Sequence, residues 1–191
     1  IFCYCHRCGL ISVPQQYWIS VEEEKKRYKQ HNNTPENEGY VKFLEQIVDV
    51  VCNIRSHSSS THILDFGSGE SAVLTSLLIK KGFKCTAYDP LFDLNIDKDK
   101  SLYDIIILCE VIEHLRDIEG EMKKIKNLLN KHGALIIRTR PYPSVENIGN
   151  WWYAQDKTHI NFFATRTIDE IARMIDRKRV LSKAEDIFVI E

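Results

Sequence analysis

Three groups of residues in the 191-residue sequence have the types and spacing to do chemistry. The first is Asp65-Phe66-Gly67-Ser68-Gly69, two glycines behind a short apolar run, with Asp89 twenty residues further on. Glycine permits a sharp turn and lets a ligand approach the backbone closely. A helix opening just after such a turn offers free N–H groups. The second group is Glu110-Val111-Ile112-Glu113-His114, whose two acids and histidine would share one face of a helical turn. The polar stretch that follows adds Asp156 and His159, with Trp151, Trp152 and Tyr153 as candidate walls of a pocket. The third is Cys5-His6-Arg7-Cys8-Gly9, a C-x-x-C knuckle whose two thiolates suit a tetrahedral zinc.

The elements that must position these residues follow from periodicity. Residues 1–20 are Cys-rich, aromatic and irregular. Residues 21–55 read as a helical cap: 21–30 are highly charged, and 40–51 are amphipathic through Val41, Leu44, Ile47, Val48 and Val51. Residues 31–35 break the pattern, and the polar run 56–60 links the cap to a domain over 56–191. Strands are predicted at 62–66, 84–88, 103–109 and 134–139, and helices at 71–81, 118–131 and 167–176. Residues 179–181 and 187–190 read as a closing strand pair. Apolar strands separated by helices require a mostly parallel sheet covered on both faces. Ligands of such sheets bind at the carboxyl ends of the strands, which places Asp65–Gly69, Asp89, 109–114 and 140–142 in one neighbourhood.

The glycine turn fits G-x-G-x-x-A, a weak dinucleotide pattern on its own. Asp65 and Glu70 would add negative charge where a pyrophosphate would lie. S-adenosylmethionine has no phosphate and carries a sulfonium and an ammonium, so nearby acids favour it. Asp89 could accept hydrogen bonds from both ribose hydroxyls, or Asp89-Pro90 could simply open a turn. Together, residues 63–69, Tyr88-Asp89, Tyr103-Asp104, 109–114 and 133–137 resemble the class I S-adenosylmethionine-dependent methyltransferases that include ubiquinone-pathway and natural-product enzymes.

The resemblance covers residues 61–140 and implies a Rossmann-like, doubly wound α/β fold with a mostly parallel seven-stranded sheet. The family's third glycine is replaced by Ser71, and the short interval from Asp89 to Tyr103 implies an abbreviated third strand and helix, with 91–96 as a remnant strand. It further implies that Asp65, Gly67 and Gly69 contact the methionine end of the cofactor and that Asp89 holds the ribose. Cys109, Glu110 and Val111 would border adenine and methionine, and Tyr28 and His31 would reach the site from the cap. A polar helix end on the surface is the alternative for those last two.

Methyl transfer is an in-line attack on the sulfonium methyl, and a base is needed only where the acceptor is protonated. Glu113, His114 and His159 are the candidates, with backbone orientation the competing role for His114. Trp151 and Trp152 are either core aromatics or lid contacts. Glu110, Glu113, His114 and His159 also resemble the two-Glu, two-His metal site of the small-RNA 2′-O-methyltransferases, which would suit Mn²⁺, Fe²⁺ or Zn²⁺. Against RNA stand a net charge of −1 and the lack of a basic stripe.

Four function classes therefore compete: transfer to a small-molecule acceptor, metal-dependent RNA 2′-O-methylation, a non-catalytic cofactor-binding module, and, last, a nicotinamide oxidoreductase. The first is the leading reading. Cys5 and Cys8 supply two zinc ligands of the four required, so a completing knuckle is expected before Ile1. Cys85 and Cys109 sit in apolar runs and read as core thiols. No apolar run approaches the about 20 residues that span a bilayer, and the expected setting is cytoplasmic.

Overall fold

The computed structural model describes residues 1–55, 60–92, 102–180 and 184–191. In chain order, the elements are β1 (Cys3–Tyr4), β2 (Ile11–Ser12), α1 (Val21–Tyr28), α2 (Glu38–Ile54), β3 (His62–Phe66), α3 (Val73–Lys80), β4 (Lys84–Tyr88) and β5 (Tyr103–Cys109). They continue with α4 (Ile118–Leu128), β6 (Leu129–Arg138), β7 (Asn161–Phe162), α5 (Thr165–Met174), β8 (Arg179–Val180) and β9 (Ile187–Ile190). The main sheet has the order β4-β3-β5-β6-β9-β8; the first four strands are parallel and the last two antiparallel. Six strands lie in it among the described residues, where seven were expected. Leu91 and Phe92 of the expected remnant strand lie in a 3₁₀ turn, and 93–96 fall outside the described residues.

Strand period two sorts the core into two layers. Ile63, Ile105, Ile107 and Ile136 face Leu44, Ile47, Val48 and Val51 of α2 and Val73, Leu74 and Leu78 of α3. Leu64, Ile106, Leu108, Leu135 and Ile137 face Met122 and Ile125 of α4 and Ile168 and Ile171 of α5. Both faces of β5 are covered, which is why it is apolar from Ile105 to Cys109; Asp104, near its start, accepts from His62 N–H and from the Asn130 amide. Each such fully buried Ile or Leu contributes roughly 1.5–3 kcal/mol. Helix α2 walls the main core, and Tyr28 at the end of α1 packs against His114.

Three helix boundaries differ from expectation. The helix predicted over 118–131 stops at Leu128, because Leu129 pairs with Tyr103 and joins the sheet one bulge before Ala134 meets Ile105. Helical spacing alone cannot distinguish a buried Leu in a last turn from one in a first strand pair. Helix α3 starts at Val73 because Ala72 is left-handed, at φ 42°. Helix α5 starts two residues early, where Thr167 Oγ1 accepts the Ala164 N–H.

Residues 1–20 pack on the body. Strands β1, β2 and β7 form a small antiparallel sheet, and Ile11 and Phe162 bury against Ile148 and Tyr153. Among the described residues no helix is long and apolar enough to cross a membrane.

Candidate active site

The glycine turn joins β3 to α3. Gly67 and Ser68 donate their N–H groups to the Tyr88 carbonyl at 2.7 and 3.1 Å, which ties the turn to the end of β4. Both glycines are left-handed, at φ 78° and 68°. A Cβ on Gly67 would stand 2.5 Å from Val111 Cγ2, whereas a Cβ on Gly69 would meet nothing within 4 Å. The turn thus packs on one side and is open on the other, which fits a ligand lying against Gly69.

The two acids of this region are engaged by backbone. Asp65 is buried, and its Oδ2 accepts from Thr75 N–H at 3.1 Å and Thr75 Oγ1 at 2.7 Å, capping the first turn of α3 from a neighbouring strand. Burial pushes its carboxyl up to about 6. Asp89 Oδ2 accepts from Gly69 N–H at 3.0 Å and Oδ1 from Leu91 N–H at 3.0 Å, so it clamps the glycine turn and opens the Pro90 turn at once. Each Asp89 oxygen retains a lone pair for a further donor. Lys124 Nζ lies 2.5 Å from the Tyr88 hydroxyl and over the Phe66 and Tyr88 rings, a contact that the sequence pattern did not reveal.

Residues 109–114 leave the end of β5. The Cys109 thiol packs with the α2 and α3 layer, and burial raises it well above the usual thiol range. Glu110 turns left-handed at φ 54°, held by its N–H on the Arg138 carbonyl at 2.9 Å. Ile112–His114 then forms a 3₁₀ turn in which Ile112 and Glu113 are fully buried. The Glu113 carbonyl accepts from Ile160 N–H at 2.9 Å, which brings the 151–163 stretch over this turn.

Glu113, His114 and His159 converge: one ligand atom of each lies within 4.8 Å of the others. His114 Nδ1 is 2.9 Å from the Thr158 carbonyl, and His159 Nδ1 is 2.7 Å from the Tyr153 carbonyl. A carbonyl only accepts, so each Nδ1 carries the proton and each Nε2 presents a lone pair. Burial lowers both imidazoles, His159 to about 4, which keeps them neutral near pH 7. Burial raises Glu110 and Glu113, and the charge of Glu113 raises Glu110 further.

Tyr153 was expected as a pocket wall by its type. It is 2 % exposed, and its hydroxyl donates to Glu113 Oε1 at 2.5 Å and approaches Glu110 Oε2 at 3.1 Å. It is a strut between the acids, and its carbonyl orients His159. Trp151 packs on Tyr153 and Phe162, whereas Trp152 is 64 % exposed beside Arg140.

Helix α1 covers the histidines. The Tyr28 ring meets His114 edge-on at 5.3 Å and its hydroxyl donates to Glu24, while His31 stands 6.1 Å from Tyr28. Arg27 pairs with Asp156 at 2.8 Å, and Arg116 with Glu24 at 3.1 Å. Tyr28 therefore touches the Glu–His cluster directly.

Cys5 and Cys8 occupy the β1–β2 turn. Gly9 N–H donates to the Cys5 carbonyl at 2.8 Å, and the turn docks through Thr167 Oγ1 on the Cys8 carbonyl and Tyr142 on the Gly9 carbonyl. Among the described residues the group of three or more convergent metal-ligand side chains is Glu113, His114 and His159; the cysteines are all free thiols outside it.

A family model described as a methyltransferase domain matches residues 30–176. The chain belongs to that family. The methyltransferase domain has the class I, S-adenosylmethionine-dependent type of architecture, with the glycine turn after its first main-sheet strand. A ubiquinone biosynthesis O-methyltransferase of Rickettsia canadensis (strain McKiel) is 28% identical over 119 residues, covering 50% of each chain. The chain thus spans about half the length of this curated relative. The fold is shared with an O-methyltransferase family protein of Burkholderia thailandensis, at TM-score 0.61, 14% identity, and 87% of this chain against 61% of that one. It is shared too with the PH0226 protein of Pyrococcus horikoshii OT3, at TM-score 0.62, 12% identity, and 86% against 96%.

Proposed function

We propose that the protein transfers the methyl group of S-adenosylmethionine to a hydroxyl oxygen of a small-molecule acceptor. The observation that carries this reading is the contact of Gly67 with Val111, which joins the glycine turn to the Glu–His turn at one end of the sheet. The name of the Rickettsia relative, an O-methyltransferase, supports oxygen as the acceptor atom.

In this reading Gly67 and Gly69 carry the methionine end of the cofactor, with Asp65 fixing their turn. Asp89 uses its remaining lone pairs for the ribose, and the backbone of residues 109–111 borders the cofactor. Acids around a sulfonium stabilise the bound cation; its positive charge is lost on transfer, as the methyl leaves sulfur for the acceptor oxygen. His114 and His159 face that oxygen with unprotonated Nε2 atoms, the state in which an imidazole can take up a proton. Tyr28, His31 and α1 exclude water from above. Exposed Trp152, with partly buried Arg140 over its ring, meets the acceptor's outer part.

Calorimetric titration with S-adenosylhomocysteine, followed by labelled-methyl transfer from S-adenosylmethionine to a panel of phenols and hydroxy acids, tests the proposal. Saturable binding and a methyl ether product are expected, with product lost in Asp89→Ala through weakened cofactor affinity. Tighter binding of NADH than of S-adenosylhomocysteine would sink it.

A further inference from the structure

We propose that Glu113, His114 and His159, with Glu110 beside them, bind one divalent transition-metal ion that holds the acceptor's hydroxyl oxygen. The inference deepens the methyl-transfer reading and rests on it for the ion's purpose, while the binding site itself stands on geometry.

Three observations carry it. First, the ligand atoms of Glu113, His114 and His159 lie within 4.8 Å of one another, close enough to share one ion. Second, both imidazoles spend their Nδ1 protons on backbone carbonyls, of Thr158 and Tyr153, which leaves the Nε2 lone pairs free. Metal-bound histidines are fixed by such a bond on the other ring nitrogen. Third, Glu110 Oε1 and Glu113 Oε2 are buried and have no hydrogen-bond partner. A buried acceptor left unsatisfied is costly, and a cation is the partner that would satisfy two at once.

Two guanidiniums act on Glu110 from a distance, those of Arg138 and Arg140, and neither is hydrogen-bonded to Glu110 Oε1 or Glu113 Oε2; Arg140 lies over the Trp152 ring. The nearest buried guanidinium, Arg138, is committed to Asp186, to the Phe43 carbonyl and to Gln46. The Tyr153 hydroxyl has one proton; it donates to Glu113 Oε1 at 2.5 Å and lies 3.1 Å from Glu110 Oε2, and so holds the two carboxyl groups side by side. Tyr153 is thus a positioning residue twice over, through its hydroxyl and through its carbonyl on His159.

A mixed imidazole and carboxylate set suits Mn²⁺, Fe²⁺, Co²⁺ or Zn²⁺ better than Mg²⁺. A hydroxyl bound to such an ion gives its proton to solvent more readily. Its oxygen then forms the O–CH₃ bond as the S–CH₃ bond breaks, leaving the neutral thioether of S-adenosylhomocysteine. The imidazoles are then ligands, and the ion acidifies the hydroxyl in place of a base.

The test is Co²⁺ titration by calorimetry and visible absorption, in a Cys5→Ser/Cys8→Ser background that removes the thiol knuckle. One Co²⁺ per chain is expected, with ligand-field bands and no thiolate charge-transfer band. His159→Gln and Glu113→Gln should each weaken binding at least tenfold, and Tyr153→Phe about tenfold. Binding of S-adenosylhomocysteine in EDTA, measured on every variant, reports that the fold and cofactor site are intact. The proposal is overturned if a chain that binds S-adenosylhomocysteine takes up no Co²⁺, or if His159→Gln and Glu113→Gln leave Co²⁺ affinity unchanged. Stoichiometric Co²⁺ binding lost in those two variants, in a chain that binds no S-adenosylhomocysteine, would support the metal site and overturn the methyl-transfer reading instead.

Discussion

Val111 occupies the space that a side chain on Gly67 would need. The 2.5 Å approach of Val111 Cγ2 to a Cβ built on that glycine locks the turn after β3 against the turn after β5. Gly69, two residues on and also left-handed, faces open space. The two glycines should therefore fail differently. Gly67→Ala should lower stability by about 1–3 kcal/mol, from backbone strain plus the clash. Gly69→Ala should cost about 1 kcal/mol, from strain alone, yet weaken S-adenosylhomocysteine binding at least tenfold by filling the open side. Urea unfolding and calorimetry on the two variants separate these effects.

Asp89 is expected to act on the cofactor partly through the turn it clamps. Asp89→Asn keeps an acceptor for Gly69 N–H, and Asp89→Ala does not. The alanine variant loses the bonds from both Gly69 and Leu91, about 1–3 kcal/mol of stability, whereas the asparagine variant keeps the first and turns its NH2 toward Leu91 N–H, losing about 0.5–1.5 kcal/mol. Both should lose cofactor affinity, because a carboxamide has one acceptor oxygen where the carboxylate has two. Equal affinity of wild type and Asp89→Asn for S-adenosylhomocysteine would rule out a ribose-binding carboxylate.

The contrast between Tyr153 and Trp152 tests which aromatic is structural. Tyr153→Phe removes the proton shared between two buried acids and should destabilise the fold by about 1–3 kcal/mol. Trp152→Ala, at a side chain 64 % exposed, should stay within about 0.5 kcal/mol. Denaturant midpoints of the two variants decide the matter.

Buried Asp65 makes stability depend on pH. Its carboxyl is raised from 3.8 to about 6 in the folded chain, because burial penalises the charged form. The folded state then binds the proton more tightly than the unfolded state. The resulting stabilisation is fully present below pH 3.8 and is lost as pH rises through about 6. A shift of about two units corresponds to about 3 kcal/mol. Asp65→Asn keeps an acceptor for Thr75 and removes the titration. Its stability should fall less steeply than wild type between pH 4 and 7 in a series of urea titrations.

Helix α1 should be loosened without unfolding the domain. The Arg27–Asp156 pair is half exposed on the arginine side, at 46%, so its loss should cost under about 1 kcal/mol overall. Arg27→Ala should nevertheless speed amide exchange across Val21–Tyr28 selectively. Unchanged exchange there would show that Arg116–Glu24 and the Tyr28–His114 contact hold the helix without it.

The local signals of the sequence were sufficient for the central layers. Short runs bounded by turn residues placed β3, β4 and β5 at their observed limits; the apolar run of β5 reflects burial on both faces, while β4, at the sheet edge, opens on exposed Lys84. The glycine turn, Asp89 and the Glu113-His114 pair were legible for the same kind of reason: each needs a residue type that few other environments require. What lay beyond sequence was decided by contacts between distant segments. Leu129 left its helix because Tyr103 paired with it. The hydroxyl of Tyr153 met Glu113, forty residues earlier, and residue type alone had placed that ring in a pocket wall. His159 became part of the cluster because Ile160 bonds the Glu113 carbonyl. Periodicity and turn chemistry are written within a few residues, whereas the direction in which a hydroxyl or an imidazole points is set by whatever backbone lies across from it.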